Sequence, residues 1–214
     1  MLIKQSGNMY SFVTHTWNPI KGKCSHDCSY CYMKVFPQKP IRLTDDVDDN
    51  LGSGKYIFVG SSTDMWNKEV PDYWIDSVLE RCRTFPQNTY LFQSKNPLRF
   101  HDWITEFPVH TILATTIETN RDTPQSIAPS PYARQGALVE LAMAKTVTIE
   151  PIMDFDLPEL VQMIKDIQPE FVSIGADSKG HHLPEPSSEK VKQLIAELEK
   201  FTTVKQKDNL KRLL

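Results

Sequence analysis

Residues 17–32 read Trp17-Asn-Pro-Ile-Lys-Gly-Lys-Cys-Ser-His-Asp-Cys-Ser-Tyr-Cys-Tyr32 and set three cysteines, Cys24, Cys28 and Cys31, at C-x3-C-x2-C spacing. Three thiolates on one short loop can ligate three corners of a cubane [4Fe–4S] cluster, whereas an electron-transfer cluster takes four cysteines. The fourth iron is then open for chemistry. The competing reading is a structural zinc site, with His26 or His15 completing a Cys3His tetrahedron. Zinc ligands usually come as two separated pairs, and no second Cys or Cys-His pair follows at zinc-finger distance.

A chain of 214 residues fits one sizeable domain, taken here as residues 1–214, with a real core. Four cysteines, no leader-like start and no apolar run near the ~18 residues of a membrane span predict a cytoplasmic protein with reduced thiols. Twenty-four basic against 27 acidic residues give a net charge of −3, so the global field does not attract polyanions. A local basic groove stays compatible with that. The acidic run Asp45-Asp46-Val47-Asp48-Asp49 reads as a solvated loop, with a hard-cation site as the alternative.

Short β-rich runs alternate with amphipathic helical stretches, the pattern of a parallel sheet with helices outside. Strands are expected at 11–15, 56–60, 89–93, 111–116, 146–150, 171–175 and 202–205. Helices are expected at 29–36, 71–85, 97–107, 131–144, 157–167 and 187–201, several opened by proline. A full eight-unit TIM barrel typically takes ~250 residues, so about six βα units predict an incomplete barrel with one side open. Polar segments after the strands lie on what would be its active face.

With an aromatic residue, Tyr30, just before its last cysteine, the motif resembles that of the radical S-adenosylmethionine (radical SAM) superfamily. The resemblance implies an α/β fold, a partial (β/α)6 barrel, and an open iron that chelates S-adenosylmethionine. One electron then cleaves the cofactor to a 5′-deoxyadenosyl radical. A reductant such as flavodoxin or ferredoxin is implied as partner.

The segment Gly60-Ser-Ser-Thr-Asp-Met-Trp66 stands where many such enzymes carry Gly-Gly-Glu, and resembles the spore photoproduct lyase-like branch and the phage-type family DUF5131. Counterparts of the latter are Thr16-Trp-Asn-Pro19, Ser94-Lys-Asn-Pro97, Thr116-Ile-Glu-Thr-Asn120, Ile149-Glu-Pro-Ile152, Ser173-Ile-Gly-Ala176 and Val204-Lys-Gln206. By that resemblance Ser62, Thr63 and Asp64 would receive the methionyl amino group and Lys95 its carboxylate, an ammonium being a compact charge suited to that. Thr116 or Glu118 would hold the ribose, Asp177 the adenine side, and Tyr30 would pack over the cluster and adenine.

Each residue also has a plainer reading: Lys95 as a solvated lysine, the threonines as strand formers, Tyr30 as core. Glu150 ends an apolar strand and needs a partner, either a neighbouring cation or amide or the cofactor or substrate. His181 and His182 read as loop residues rather than a second metal site, and Cys82 as a buried structural thiol. The substrate class favoured by the resemblance is a nucleic acid base or nucleotide, with a peptide or small metabolite as alternatives. A non-catalytic zinc module binding nucleic acid is the rival from another class.

Overall fold

The computed structural model describes residues 1–5 and 9–214. Its centre is an eight-stranded sheet in the order β1 (Leu2–Lys4), β2 (His15–Trp17), β5 (Tyr56–Val59), β6 (Thr89–Ser94), β7 (Thr111–Thr116), β8 (Lys145–Ile149), β9 (Phe171–Ile174) and β10 (Thr203–Gln206). β1 runs antiparallel to β2, and every other neighbouring pair is parallel. β3 (Ile20–Lys21) and β4 (Arg42–Leu43) form a separate antiparallel pair beside the cysteine loop. Four α-helices, α1 (Asp72–Arg83), α2 (Pro131–Val139), α3 (Leu157–Ile167) and α4 (Ser188–Leu198), follow β5, β7, β8 and β9.

Alternation along the strands separates two apolar clusters. Ile57 and Val59, Tyr90 and Phe92, Leu113, Val147 and Ile149, Val172 and Ile174 face the helices, where they meet Ile75, Leu138, Leu160 and Leu194. Phe58, Leu91 and Ala114 face the other way, onto Tyr10 and Val13.

That second cluster reveals the curvature. The ring of Phe12 lies 5.1 Å from Tyr56 on β5 and 4.9 Å from Phe171 on β9, although β5 and β9 are four strand spacings apart, about 19 Å on a flat sheet. Tyr10 likewise meets Gln93 on β6 and Thr148 on β8, at 2.9 Å each. One short segment can touch both only if the sheet curls around it. Among the described residues the sheet ends at β1 and β10 without joining them, so the barrel is partial and not closed.

The expected strand at 11–15 is instead this inner segment, and the strand itself is His15–Trp17. Phe12 and Val13 are apolar because they plug the concave face. The expected helices at 29–36 and 97–107 are 3-10 turns, Tyr32–Val35 and Pro97–Trp103. In the first, Cys31 is still extended and Pro37 follows at once, leaving no room for an α-helix. β1, β3 and β4 carry too few residues to show a period. Among the described residues, no helix is long and apolar enough to cross a membrane.

Trp66 joins the second loop to the core: it is fully buried, with ring centroids 4.9 Å from Phe100, 5.4 Å from Phe107 and 5.8 Å from Phe92. Trp66→Ala is expected to lower unfolding free energy by about 3–5 kcal/mol in urea titrations, whereas Val109→Ala, at an 84% exposed position, changes it by less than about 0.5 kcal/mol.

Candidate active site at the strand ends

The cysteine loop is stitched to the carboxyl-terminal ends of the strands on both sides. On one side, the Asn18 side chain accepts from the Ser62 amide at 2.9 Å and exchanges a bond with the Ser61 hydroxyl, and Thr63 Oγ1 donates to the Gly22 carbonyl at 2.8 Å. Gly22 has φ +121°, and a Cβ there would lie 2.4 Å from the Pro40 carbonyl oxygen, so only glycine fits. On the other side, the Ser29 amide donates to the Gln125 carbonyl at 2.7 Å, and the Cys28 thiol donates to Ser126 Oγ at 3.3 Å.

Asp64 is the centre of the first seam. Its carboxylate meets His26 Nε2 at 2.8 Å, accepts from the Ser94 hydroxyl at 2.9 Å and takes the backbone amides of Lys95 and Trp66, each at 2.9 Å. Burial opposes its charge, but His26 and the two amides outweigh burial and hold the carboxyl below its ordinary value. The carboxylate thus binds the cysteine loop to the end of β6.

Glu118 is the centre of the second. Its side chain is 1% exposed and accepts from the Tyr30 hydroxyl, from Lys95 Nζ, and from Arg134 NH1 at 2.9 Å. Burial alone would raise its pKa, yet the charges of Lys95 and Arg134 bring it down to about 2. Two cations on one carboxylate leave a surplus positive charge. Lys95 also lies 5.3 Å over the Tyr30 ring.

The thiols are not cross-linked. Burial, with a contribution from the Asp64 charge, pushes the Cys24 thiol up to about 12, while backbone N–H groups of His26 and Asp64 pull the other way; burial also raises Cys31. Thiols so desolvated ionise only against a bound cationic group, so loading metal here would release protons. Cys24 and Cys31 face backbone N–H donors, of His26 and Asp64 and of Met33, which suits thiolates that would bind a cationic group. Among the described residues, no three His, Cys, Asp or Glu side chains are grouped closely enough to hold a metal ion. His26 is engaged by Asp64, and His15, paired in register with Ile57, sits at the far end of its strand. Cys82 is fully buried on α1 among core side chains.

The remaining candidates form two further groups. The Thr116 hydroxyl is buried on the inner face and accepts from Gln93 Nε2 at 3.1 Å. Glu150 pairs with Lys207 at 2.7 Å and accepts from Asn209 Nδ2 at 2.9 Å; a Cβ on Gly175 would come within 2.6 Å of its carboxylate. Asp177 accepts from the His181 amide at 2.5 Å and meets its ring Nδ1 at 2.6 Å, so His181 folds back onto the strand end. The acidic run forms a 3-10 turn in which Asp46 pairs with Lys21 at 2.5 Å.

Sequence reading assigned no role to Arg134, Ser94, Ser126 or Gln125, and gave His26 one only as a candidate zinc ligand. Arg134 offered one signal, a cation on the same helical stripe as Pro131 and Leu138.

The curled, mostly parallel sheet with external helices and one open side is an α/β fold of the radical SAM partial-barrel type. Solved structures of spore photoproduct lyase share it. A doubly substituted form with bound AdoMet and dinucleoside spore photoproduct has a TM-score of 0.63, at 12% identity over 92% of this chain and 64% of that one. A cysteine-to-serine mutant gives 0.62, at 14% identity over 94% and 66%. The enzyme complexed with dinucleoside spore photoproduct gives 0.59, at 12% identity over 92% and 66%. The chain therefore spans about two thirds of the length of those proteins. Its sequence matches no protein-family model and no curated protein.

Glu118→Gln leaves Lys95 and Arg134 without their anion, and breaking a buried pair this way is expected to cost about 3–5 kcal/mol at pH 7. A carboxylate lowered from 4.5 to about 2 contributes its full stability above pH 4.5 and loses it as pH falls toward 2. The gap between wild type and variant in urea midpoints should therefore be constant from pH 7 to 5 and narrow below 4.5. A gap that stays constant at pH 3 would contradict the ionised pairing.

Proposed function

We propose that this chain is a radical SAM enzyme in which Cys24, Cys28 and Cys31 hold a [4Fe–4S] cluster with one open iron. The observation that carries the reading is a three-thiol loop, free of disulfides, fastened by Asp64 and Glu118 to the same strand ends that present a surplus cation. The likeness in fold to spore photoproduct lyase, a radical SAM enzyme, supports it.

When bound, the cluster and S-adenosylmethionine would supply a 5′-deoxyadenosyl radical after one-electron reduction. This chain's residues do the positioning. Lys95, partly accessible and sharing Glu118 with Arg134, offers a cation to the methionyl carboxylate. Ser62 and Asp64 would receive the amino group, although the first task of Asp64 and Thr63 is to hold the loop. Tyr30 is fixed by Glu118 against the cluster side. Thr116 would offer its inner-face hydroxyl to the ribose, Asp177 would lie on the adenine side, and Glu150 would contact the cofactor or substrate. The substrate is read as a nucleic acid base or nucleotide entering at the open side of the barrel, in a cytoplasmic, reducing setting that keeps the thiols free.

Anaerobic reconstitution should give a brown protein with broad visible absorption. Alanine at Cys24, Cys28 or Cys31 should remove most bound iron, and Cys82→Ala should leave it unchanged. A colourless wild-type protein carrying stoichiometric zinc would establish the zinc module instead.

Charge-assisted hydrogen bonds contribute roughly 1.5–3 kcal/mol. Lys95→Ala should therefore weaken S-adenosylmethionine binding by about one to two orders of magnitude in calorimetric titration, at unchanged iron content. Asp64→Ala is expected to lower iron retention as well, because it releases His26. Dithionite-reduced wild type should form 5′-deoxyadenosine; a fully loaded cluster that gives none would refute the enzyme reading.

A further inference from the structure

The loop from β7 to α2 crosses the strand ends and leaves a recess of about 470 Å³ against the start of α2, within the ~300–1,000 Å³ of small-molecule sites. Thr123, Ser126, Ala128, Ser130 and Arg134 are among the residues that border it. One wall is shared with the cysteine loop. Ser126 Oγ accepts from the Cys28 thiol at 3.3 Å and from the Ala128 amide at 3.1 Å, and donates to the His26 carbonyl at 3.2 Å.

Arg134 is the unusual member of this border. Its side chain is 2% exposed, and only NH1 is bonded, to Glu118 and to the Thr116 carbonyl. Nε is buried without a partner, and among the described residues NH2 has none either. A buried guanidinium left with two open nitrogens costs stability until an acceptor reaches it. Glu118 does not meet that need, because its one negative charge is already shared with Lys95.

The helix adds to the same spot. Pro131 has no N–H to offer, while Ser130 accepts the Ala133 amide on its hydroxyl at 3.2 Å and the Arg134 amide on its carbonyl at 3.0 Å. The Tyr132 amide is therefore the open donor of the first turn, at the positive end of α2. The charged residues on the border are Arg134 and Asp122. Their charged neighbours are committed elsewhere, Arg121 to Asp154 and Asp156, and Asp27 to Lys34. Asp122 is exposed, so water and salt screen it, whereas the Arg134 charge is buried and weakly screened.

We propose that this recess seats the phosphate group of a nucleotide substrate. The inference deepens the nucleotide reading above and rests on it for the ligand. A phosphate monoester carries about −1.5 to −2 charges at pH 7 and three terminal oxygens. It can accept from Nε and NH2 of Arg134, from the Tyr132 amide and from the Ser130 hydroxyl at once, where a carboxylate has only two oxygens and one charge. Anion binding at a helix N-terminus supplies the remaining attraction. Because Ser126 ties the recess to Cys28, a nucleotide anchored here by its phosphate lies beside the cysteine loop.

The test is calorimetric titration of the full chain with thymidine 5′-monophosphate, thymidine and inorganic phosphate. Charge-assisted hydrogen bonds to the phosphate should make the monophosphate bind at least about tenfold more tightly than thymidine, with inorganic phosphate competing weakly. Arg134→Lys keeps a cation for Glu118 but removes the open nitrogens, and should weaken monophosphate binding at least about tenfold. Ala128→Trp fills the recess without touching the Arg134–Glu118 pair, and should do the same while thymidine affinity stays at the wild-type value. Asp122→Asn should tighten monophosphate binding at least about twofold. Undiminished monophosphate affinity in both Arg134→Lys and Ala128→Trp overturns the proposal. So does inorganic phosphate binding as tightly as the monophosphate, which would assign the recess to the free ion, or displacement of inorganic phosphate by S-adenosylmethionine, which would assign it to the methionyl carboxylate. A wild-type protein that assembles no cluster but keeps the phosphate preference removes the enzyme reading and leaves this site standing. One that forms 5′-deoxyadenosine without any phosphate preference removes this site alone.

Discussion

A carboxylate removed from water is unstable unless it is compensated, and at Glu118 the compensation is shared among three elements. Tyr30 comes from the cysteine loop, Lys95 from the end of β6 and Arg134 from α2. No two of these elements are adjacent in sequence, so the pairing fixes the loop relative to the sheet. Asp64 repeats the device on the other flank through His26, Ser94 and the Lys95 amide. Lys95 is the common member, its side chain on one carboxylate and its amide on the other. A three-thiol loop held at only one end would pivot; held at both, it keeps one position on the strand ends.

The strength of these seams also explains the character of the thiols. Packing the loop against two neighbours dries it, and drying raises Cys24 and Cys31. Backbone N–H groups then meet Cys24 where bulk water no longer can. The same architecture makes the free thiolate unfavourable at both positions, so neither thiol is set up as a free nucleophile.

Some of this was legible in the sequence. The helix at 157–167 is read and found with the same bounds, because Leu160, Met163, Ile164 and Ile167 form a stripe at helical spacing behind Pro158. Most parallel strands were visible as short apolar runs, and the cysteine spacing singled out the loop. What was hidden depends on partners distant in sequence. Asp64 and Glu118 were recognisable as acids at strand ends, but their engagement by His26 and Arg134 arises only once the sheet brings residues 26 and 64, or 118 and 134, together. The apolar character of Phe12 and Val13 suggested a strand because plugging a curled sheet demands the same residue types as joining one.

That plug accounts for how an open barrel remains ordered. Closing the circle would take further strands, and among the described residues β10 has no partner on its outer side. Its inward-facing Lys205 and Lys207 contact the plug instead: Lys205 Nζ lies 4.0 Å from the centroid of Phe12 and 3.5 Å from that of Phe171, and Lys207 Nζ lies 4.8 Å from that of Tyr10 while pairing with Glu150. Cation–π contact and ion pairing thus hold the edge strand against the plug, and the inward charges discourage addition of a foreign strand at that edge.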